Sequence, residues 1–200
     1  MNKIVVWAII GGVVALLVSA GLSLMMASVG ARSGFAPVMV GGFLGVFVAY
    51  IGGNLAGNRK TPAASGAQKD AALRLAPAAG EALLIVYREG FVGMAAGMNV
   101  LMDGQPVAQL KSPRFTALTI APGDHGLQLG FGGLAKAQNR ESEWRFTAGP
   151  GEVVAFRAAM AMGALKNSIT VVRIETDQPA ELETLRARLG GMVMTLPDAG

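Results

Sequence analysis

Two long stretches without a charged residue dominate the first quarter of this 200-residue chain. They run from Ile4 to Ala31 and from Ser33 to Asn58, and both exceed the roughly 20 apolar residues that a bilayer-spanning helix needs. Because so few residues connect them, the two helices must be antiparallel neighbours. The sequence therefore predicts a transmembrane helical hairpin over residues 1–58, with spans at about 4–29 and 36–57.

Basic residues flank the two stretches unequally. The ends of the predicted hairpin carry Lys3, Arg59 and Lys60, whereas the turn carries only Arg32. The positive-inside rule then predicts a two-span protein of the bacterial inner membrane with its C-terminal domain in the cytoplasm. The difference is only a few charges, so a periplasmic domain is the alternative. Residues 70–200 carry twelve basic and thirteen acidic side chains, so we expect no nucleic-acid partner.

Small residues recur at every fourth position in both predicted helices. Such residues let helix backbones approach closely in lipid, where packing rather than the hydrophobic effect drives association. Two interpretations are open: the ladders face each other, or one of them faces a second copy or another membrane protein. The expected partners are thus the lipid bilayer and either another membrane protein or further copies of the chain. The predicted helix-packing positions are Gly11, Ala15, Ser19, Ser23, Ala27, Gly41, Gly45, Ala49, Gly53 and Gly57.

The rest of the chain changes character twice. Residues 59–80 are rich in Ala, Pro, Gly and Ser, which is typical of a flexible linker. From residue 81 the apolar pattern is that of short strands, about seven in all, and Asp103-Gly104 is a pair favoured in hairpin turns. Residues 81–200 therefore predict an all-β sandwich that ends in an amphipathic helix over 178–190.

Four segments of this region carry a resemblance. The order "VYR", "VLMDGQPVAQL", "IAPGDH" and "PGEVVAFRA" resembles a bacterial domain-of-unknown-function family of membrane-associated or lipoprotein domains with a PEGA-like β-sandwich, over residues 82–175. The resemblance implies a fold and an association with the cell envelope, but no activity. Family members often hang from a lipidated cysteine; this chain has no cysteine, and the predicted hairpin takes that place.

The sequence offers little for catalysis. His125 is the only histidine, and without cysteine it cannot assemble a common zinc site. Asp124 precedes it directly, but neighbours in a strand point to opposite faces, so the two would not cooperate. We therefore expect no catalytic residue, no metal and no cofactor, and we predict that the protein is not an enzyme.

Two loops are more apolar than loops usually are. Their Met side chains either fill gaps in the core or form an exposed, adaptable patch that contacts a partner. The predicted contact residues are Phe91, Val92, Met94, Met98, Met160 and Met162. Together the features predict a non-catalytic, membrane-anchored scaffold or accessory subunit of a bacterial membrane assembly. The alternatives are a self-assembling homo-oligomer, pore-like or membrane-remodelling, and a ligand-binding envelope sensor.

Overall fold

The computed structural model describes residues 1–32, 34–164 and 166–198, and the chain divides into two compact units. The first unit comprises Met1–Gly57 together with Gly133–Ala135. The second, called the β domain below, comprises Asn58–Gly132 and the chain from Lys136 onward. Ser33, which belongs to the predicted turn, lies outside the described residues, as do the last two residues of the predicted domain 81–200.

The first unit contains the two predicted apolar helices, α1 (Lys3–Ser28) and α2 (Ala36–Leu55). The Asn2 side chain caps α1 by accepting a hydrogen bond from the Ile4 amide at 3.0 Å. Pro37 lies in the first turn of α2, where its missing N–H costs nothing. The prediction of two long apolar helices is confirmed, and both are long and apolar enough to cross a membrane.

The β domain contains two sheets. The strands are β1 (Ala82–Arg88), β2 (Met98–Met102), β3 (Gln105–Leu110), β4 (Arg114–Ile120), β5 (Gly123–Phe131), β6 (Asn139–Arg140), β7 (Ser142–Ala148), β8 (Val153–Ala161), β9 (Asn167–Ile174) and β10 (Val193–Met194). The six-stranded sheet has the order β10-β4-β1-β8-β9-β6, and the four-stranded sheet has the order β3-β2-β5-β7. The prediction of about seven strands was too low, because β6 and β10 are two residues long and leave no periodic pattern.

Strand β1 is the centre of the β domain. It pairs with β4 in antiparallel and with β8 in parallel orientation, and all seven of its residues are buried. One face, with Ile85 and Tyr87, belongs to a core that includes Leu185 and Leu189 of the C-terminal helix. Behind the sheet, Phe156 of β8 packs against Phe146 of β7 with ring centroids 5.1 Å apart. A strand buried on both faces explains the unbroken apolar run "ALLIVYR".

The β domain also has helical segments. The C-terminal helix α5 (Pro179–Gly190) confirms the prediction of a helix over 178–190, and it is capped by Gln178 and Glu181. The β domain also contains α3 (Gly66–Leu73), which Ser65 and Gln68 cap reciprocally. The short α4 (Leu134–Gln138) begins in the residues assigned to the first unit and ends in the β domain.

The segment 59–80 differs from its prediction, because the structure packs it on the β domain instead of leaving it as a flexible linker. Ala63 forms a bridge with Thr195, and Leu75 is buried in the core below α5. The Arg186 side chain donates from Nε to the Leu73 carbonyl oxygen at 2.7 Å. The composition of this segment concealed the few apolar side chains that decide its place.

We expect Leu75→Ala to lower the free energy of unfolding of the β domain by about 2–4 kcal/mol, because it opens a cavity under α5. Thermal and urea unfolding of the full chain in mild detergent, followed by near-UV circular dichroism, measures the change. Asp70→Ala, at an exposed position of α3, is the control and should change stability by no more than about 0.5 kcal/mol. Equal effects of the two variants would contradict the packing of residues 59–80.

Candidate functional site

The small residues of α1 and α2 face each other. A Cβ atom added to Gly45 would lie closer than 3.0 Å to the Gly11 carbonyl oxygen, and one added to Gly41 would lie that close to the Ala15 carbonyl oxygen. Ser19 and Ala49 complete this contact, which brings together six of the ten predicted packing residues. The helices therefore pack backbone against backbone, as the first interpretation of the ladders predicts.

The remaining ladder positions lie near the ends of the helices. Gly53 is buried, Ser23 and Gly57 are partly buried, and Ala27 is exposed. The outward surface carries large apolar side chains, such as Leu16 at 72% and Phe43 at 71% exposure, together with the exposed glycines Gly12 and Gly21. Most small residues of the two ladders are thus part of the contact between α1 and α2.

Both ring nitrogens of His125 have partners within the β domain. Its Nδ1 lies 2.8 Å from Asp103 Oδ2, and its Nε2 lies 2.8 Å from the Ala121 carbonyl oxygen. Burial lowers the pKa of His125, but the bond to the Ala121 carbonyl and the Asp103 carboxylate outweigh it, so the pKa is raised. Both ring nitrogens therefore face acceptor oxygens, and in the charged form of the ring both donate. His125 clamps the β2–β3 turn to β5.

Arg88, the last residue of β1, is fully buried. Its guanidinium donates to the carbonyl oxygens of Gly93 at 2.7 Å, of Leu110 at 3.0 Å and of Ala96, and its Cζ lies 5.1 Å from the Phe131 ring centroid. Burial lowers the pKa of Arg88 to about 10, so the side chain keeps its charge at neutral pH. Two of the three carbonyl oxygens belong to the loop that follows β1.

That loop, residues 89–97, is also held from the other side. The Asn58 side chain donates to the Ala95 carbonyl oxygen at 2.9 Å and accepts from the Gly97 amide at 2.6 Å. Asn58 is three residues beyond the end of α2, so the loop lies where the chain enters the β domain. We call this region, with Asn58 and loop 89–97, the entry end.

The predicted contact residues divide into two groups. Met98 is fully buried in β2, so its prediction as a contact residue is wrong: it fills the core, while Val92 and Met160 are partly buried. Phe91, Met94 and Met162 are 85%, 40% and 78% exposed. Phe91 follows β1 and Met162 follows β8, and these strands are parallel neighbours, so both lie at the same end of the sheet. We call Phe91, Met94 and Met162 the apolar patch.

Sequence reasoning missed the two polar residues that shape this site. Arg88 had a signal, since it ends an otherwise apolar strand and shares its alternation with Leu84 and Val86. A cation at a core position of a strand needs acceptors nearby, and loop carbonyls can provide them. Asn58 had no such signal, because its partners lie 37 and 39 residues away.

We found no protein-family model that matches the sequence, and no curated protein matches it significantly. The resemblance of residues 82–175 to PEGA-like domains therefore stays a prediction. The candidate site is defined by its geometry alone.

We expect Gly45→Leu to force α1 and α2 apart, toward the ~8–10 Å separation of ordinary helix pairs, because its side chain meets the Gly11 backbone. Spin labels on cysteines introduced as Val5→Cys and Ile51→Cys report the distance between the two helices by pulsed electron paramagnetic resonance. Gly42→Leu is the matched control, since nothing lies within 4 Å of its added Cβ. A separation unchanged by Gly45→Leu would contradict the close packing.

We expect the His125 clamp to make stability depend on pH. Because the folded pKa of His125 is raised, its contribution is complete below the unfolded value of about 6.5 and is lost as pH rises through the folded pKa. The pKa of Asp103 is lowered by the Gly126 amide and by His125, so its contribution is lost at acidic pH instead. As the pH is raised from 6 to 9, the urea concentration at the midpoint of unfolding should fall for the natural chain and stay level for His125→Gln. Parallel profiles would refute the clamp.

Proposed function

We propose that the protein is a non-catalytic, membrane-anchored scaffold or accessory subunit of a bacterial membrane protein assembly. In this proposal α1 and α2 span the inner membrane, and the β domain lies in the cytoplasm. The outward surface of the helix pair supports the first part, because large exposed side chains such as Leu16, Leu24 and Phe43 are stable in lipid and costly in water. Lys3, Arg59 and Lys60, against Arg32 at the turn, support the orientation.

The apolar patch is the observation that carries the proposal. Phe91 and Met162 are 85% and 78% exposed at the same end of the six-stranded sheet, and exposed apolar side chains of this size are candidates for a contact surface. Arg88 and Asn58 hold the loop that bears Phe91 and Met94. A loop already held in one shape loses little entropy when a partner binds, which favours affinity.

The occupant of the apolar patch is, in this proposal, the membrane-proximal part of another membrane protein. The patch belongs to the entry end, and the chain there is only three residues beyond α2. A partner that meets the patch must therefore be close to the bilayer. Methionine side chains adapt to an irregular partner surface, which suits an accessory contact.

The geometry favours this function over a self-assembling oligomer. Close assembly of helices in lipid requires smooth faces of small residues. Gly11, Gly41 and Gly45 already contact the neighbouring helix of the same chain. A second chain would meet the few glycines outside that contact together with large side chains such as Leu16 and Phe43.

A photo-crosslinking amino acid in place of Phe91, in the full chain in native membranes, tests the proposal. We expect one discrete adduct with a different membrane protein, and at least about a tenfold lower yield with the same probe at Val172, an exposed position of β9. In a second arm, Met162→Ser should lower the yield of that adduct, because it removes part of the patch.

Two outcomes would overturn it. An adduct with twice the 20.5 kDa mass of the chain would favour the self-assembling alternative. Adducts with lipid alone would mean that the apolar patch enters the bilayer and contacts no protein.

A further inference from the structure

A strongly basic cavity lies beside the entry end of the β domain. It is open, has a volume of about 390 Å³, and is lined by two segments that are distant in sequence. Four of its six lining residues are cationic: Arg59, Lys60, Lys111 and Arg114, with Thr61 and Pro62 between them. We call it the basic cavity.

Hydrogen bonds fix both walls of the basic cavity. The Arg59 amide donates to Gln109 Oε1 at 2.7 Å, and the Leu196 amide donates to the Pro62 carbonyl oxygen at 3.1 Å. On the opposite wall, the Ser112 amide donates to the Met94 carbonyl oxygen at 3.1 Å. The backbone that carries the four cations is therefore tied to the β domain and to the loop of the apolar patch.

The cations of this cavity are poorly compensated. Arg59 pairs with Asp198 at 3.0 Å, but within the described ranges no carboxylate pairs with Lys60, Lys111 or Arg114. The cavity beside α5 is a useful contrast. There, Arg157 and Arg188 form ion pairs with Glu89, and Arg173 forms one with Glu152. Like charges gathered without counter-ions repel one another, and a bound anion would relieve that repulsion.

The chain length limits where this cavity can lie. Arg59 is four residues beyond Leu55, the end of α2, and four extended residues reach at most about 14 Å. This step rests on the proposed function, in which α2 spans the bilayer. Arg59 then lies within the depth of the lipid headgroups, where phosphate is the abundant anion. Arginine binds phosphate through two parallel N–H donors, and lysine adds a point charge.

We propose that the basic cavity binds the phosphate of an anionic glycerophospholipid, the headgroup entering between residues 59–62 and the loop that carries Lys111 and Arg114. A net negative headgroup such as phosphatidylglycerol is favoured over zwitterionic phosphatidylcholine, because three of the four cations pair with no carboxylate in the part of the chain that the structure describes. The bound lipid fixes the entry end at the membrane surface and so directs the apolar patch toward membrane-embedded partners.

The test uses the full chain in neutral detergent, with native mass spectrometry to count bound lipid and thermal unfolding to report stabilisation. The added probes are phosphatidylglycerol, phosphatidylcholine and inorganic phosphate, each at low and high salt. We expect phosphatidylglycerol to bind at least about tenfold more tightly than phosphatidylcholine, and less tightly in high salt. Inorganic phosphate at the same concentration should give no more than a minor shift of the unfolding temperature.

The variant Lys111→Gln/Arg114→Gln removes two of the four cations and should weaken phosphatidylglycerol binding by about 30-fold. The matched control Arg140→Gln/Lys166→Gln removes one arginine and one lysine from exposed positions elsewhere in the β domain, and it should change binding less than twofold. Without lipid, both variants should have the unfolding temperature of the natural chain, since each side chain replaced is at least partly exposed.

Several results would overturn the proposal. These are equal binding of the two phospholipids, an equal loss of phosphatidylglycerol binding in both variants, or an unfolding temperature that inorganic phosphate shifts as much as phosphatidylglycerol does. The last result would make the cavity a site for a soluble anion.

Incorporation into phosphatidylcholine nanodiscs distinguishes a failure of the lipid site from a failure of the proposed membrane anchor. A chain that inserts there without preferring phosphatidylglycerol refutes only the lipid site. A chain that stays soluble without detergent and does not insert refutes the membrane anchor, and the lipid site with it.

Discussion

The entry end of the β domain depends on one buried cation. Arg88 ends β1, the central strand that is buried on both faces, and it holds three backbone carbonyl oxygens where a carboxylate partner would be expected. A buried carbonyl without a donor costs about 1–3 kcal/mol, so the loop 89–97 and the guanidinium need each other. Apart from Val92, the larger apolar side chains of this loop point to solvent, so few apolar contacts of its own order it. The exposed position of Phe91 and Met94 is therefore a consequence of the charge buried behind them.

The two units bury side chains of different size. In the helix pair the buried contact consists mainly of small residues, because close backbone contact at Gly11, Gly41 and Gly45 leaves no room for side chains, and many large side chains are exposed. The β domain has the usual arrangement, with large side chains such as Phe115, Phe156 and Leu189 fully buried. This inversion is physically reasonable if lipid surrounds the first unit and water the second, since lipid removes the cost of exposing Leu and Phe. The contrast is the main physical support for the membrane anchor.

Three features converge on the entry end: the chain arriving from α2, the apolar patch and the basic cavity. They are connected by hydrogen bonds, since Asn58 holds Ala95 and Gly97, and the Ser112 amide binds the Met94 carbonyl oxygen. Exposed apolar side chains beside uncompensated cations suit a surface that works at a bilayer, where apolar and phosphate groups lie close together. His125 and its Asp103 partner, by contrast, have a structural use that explains their geometry fully.

The sequence by itself determined the features whose signals are local. Length and lack of charge identified α1 and α2, and an unbroken apolar run identified β1. The pair Asp103-Gly104 identified the turn between β2 and β3, where both residues have positive φ. Only the tertiary structure decided that Leu75 joins the core, that Met98 is buried while Phe91 is exposed, and that Arg59 shares a cavity with Arg114. The physical reason is that burial and charge compensation depend on which distant surfaces meet. Periodicity and composition describe a segment only by its neighbours along the chain.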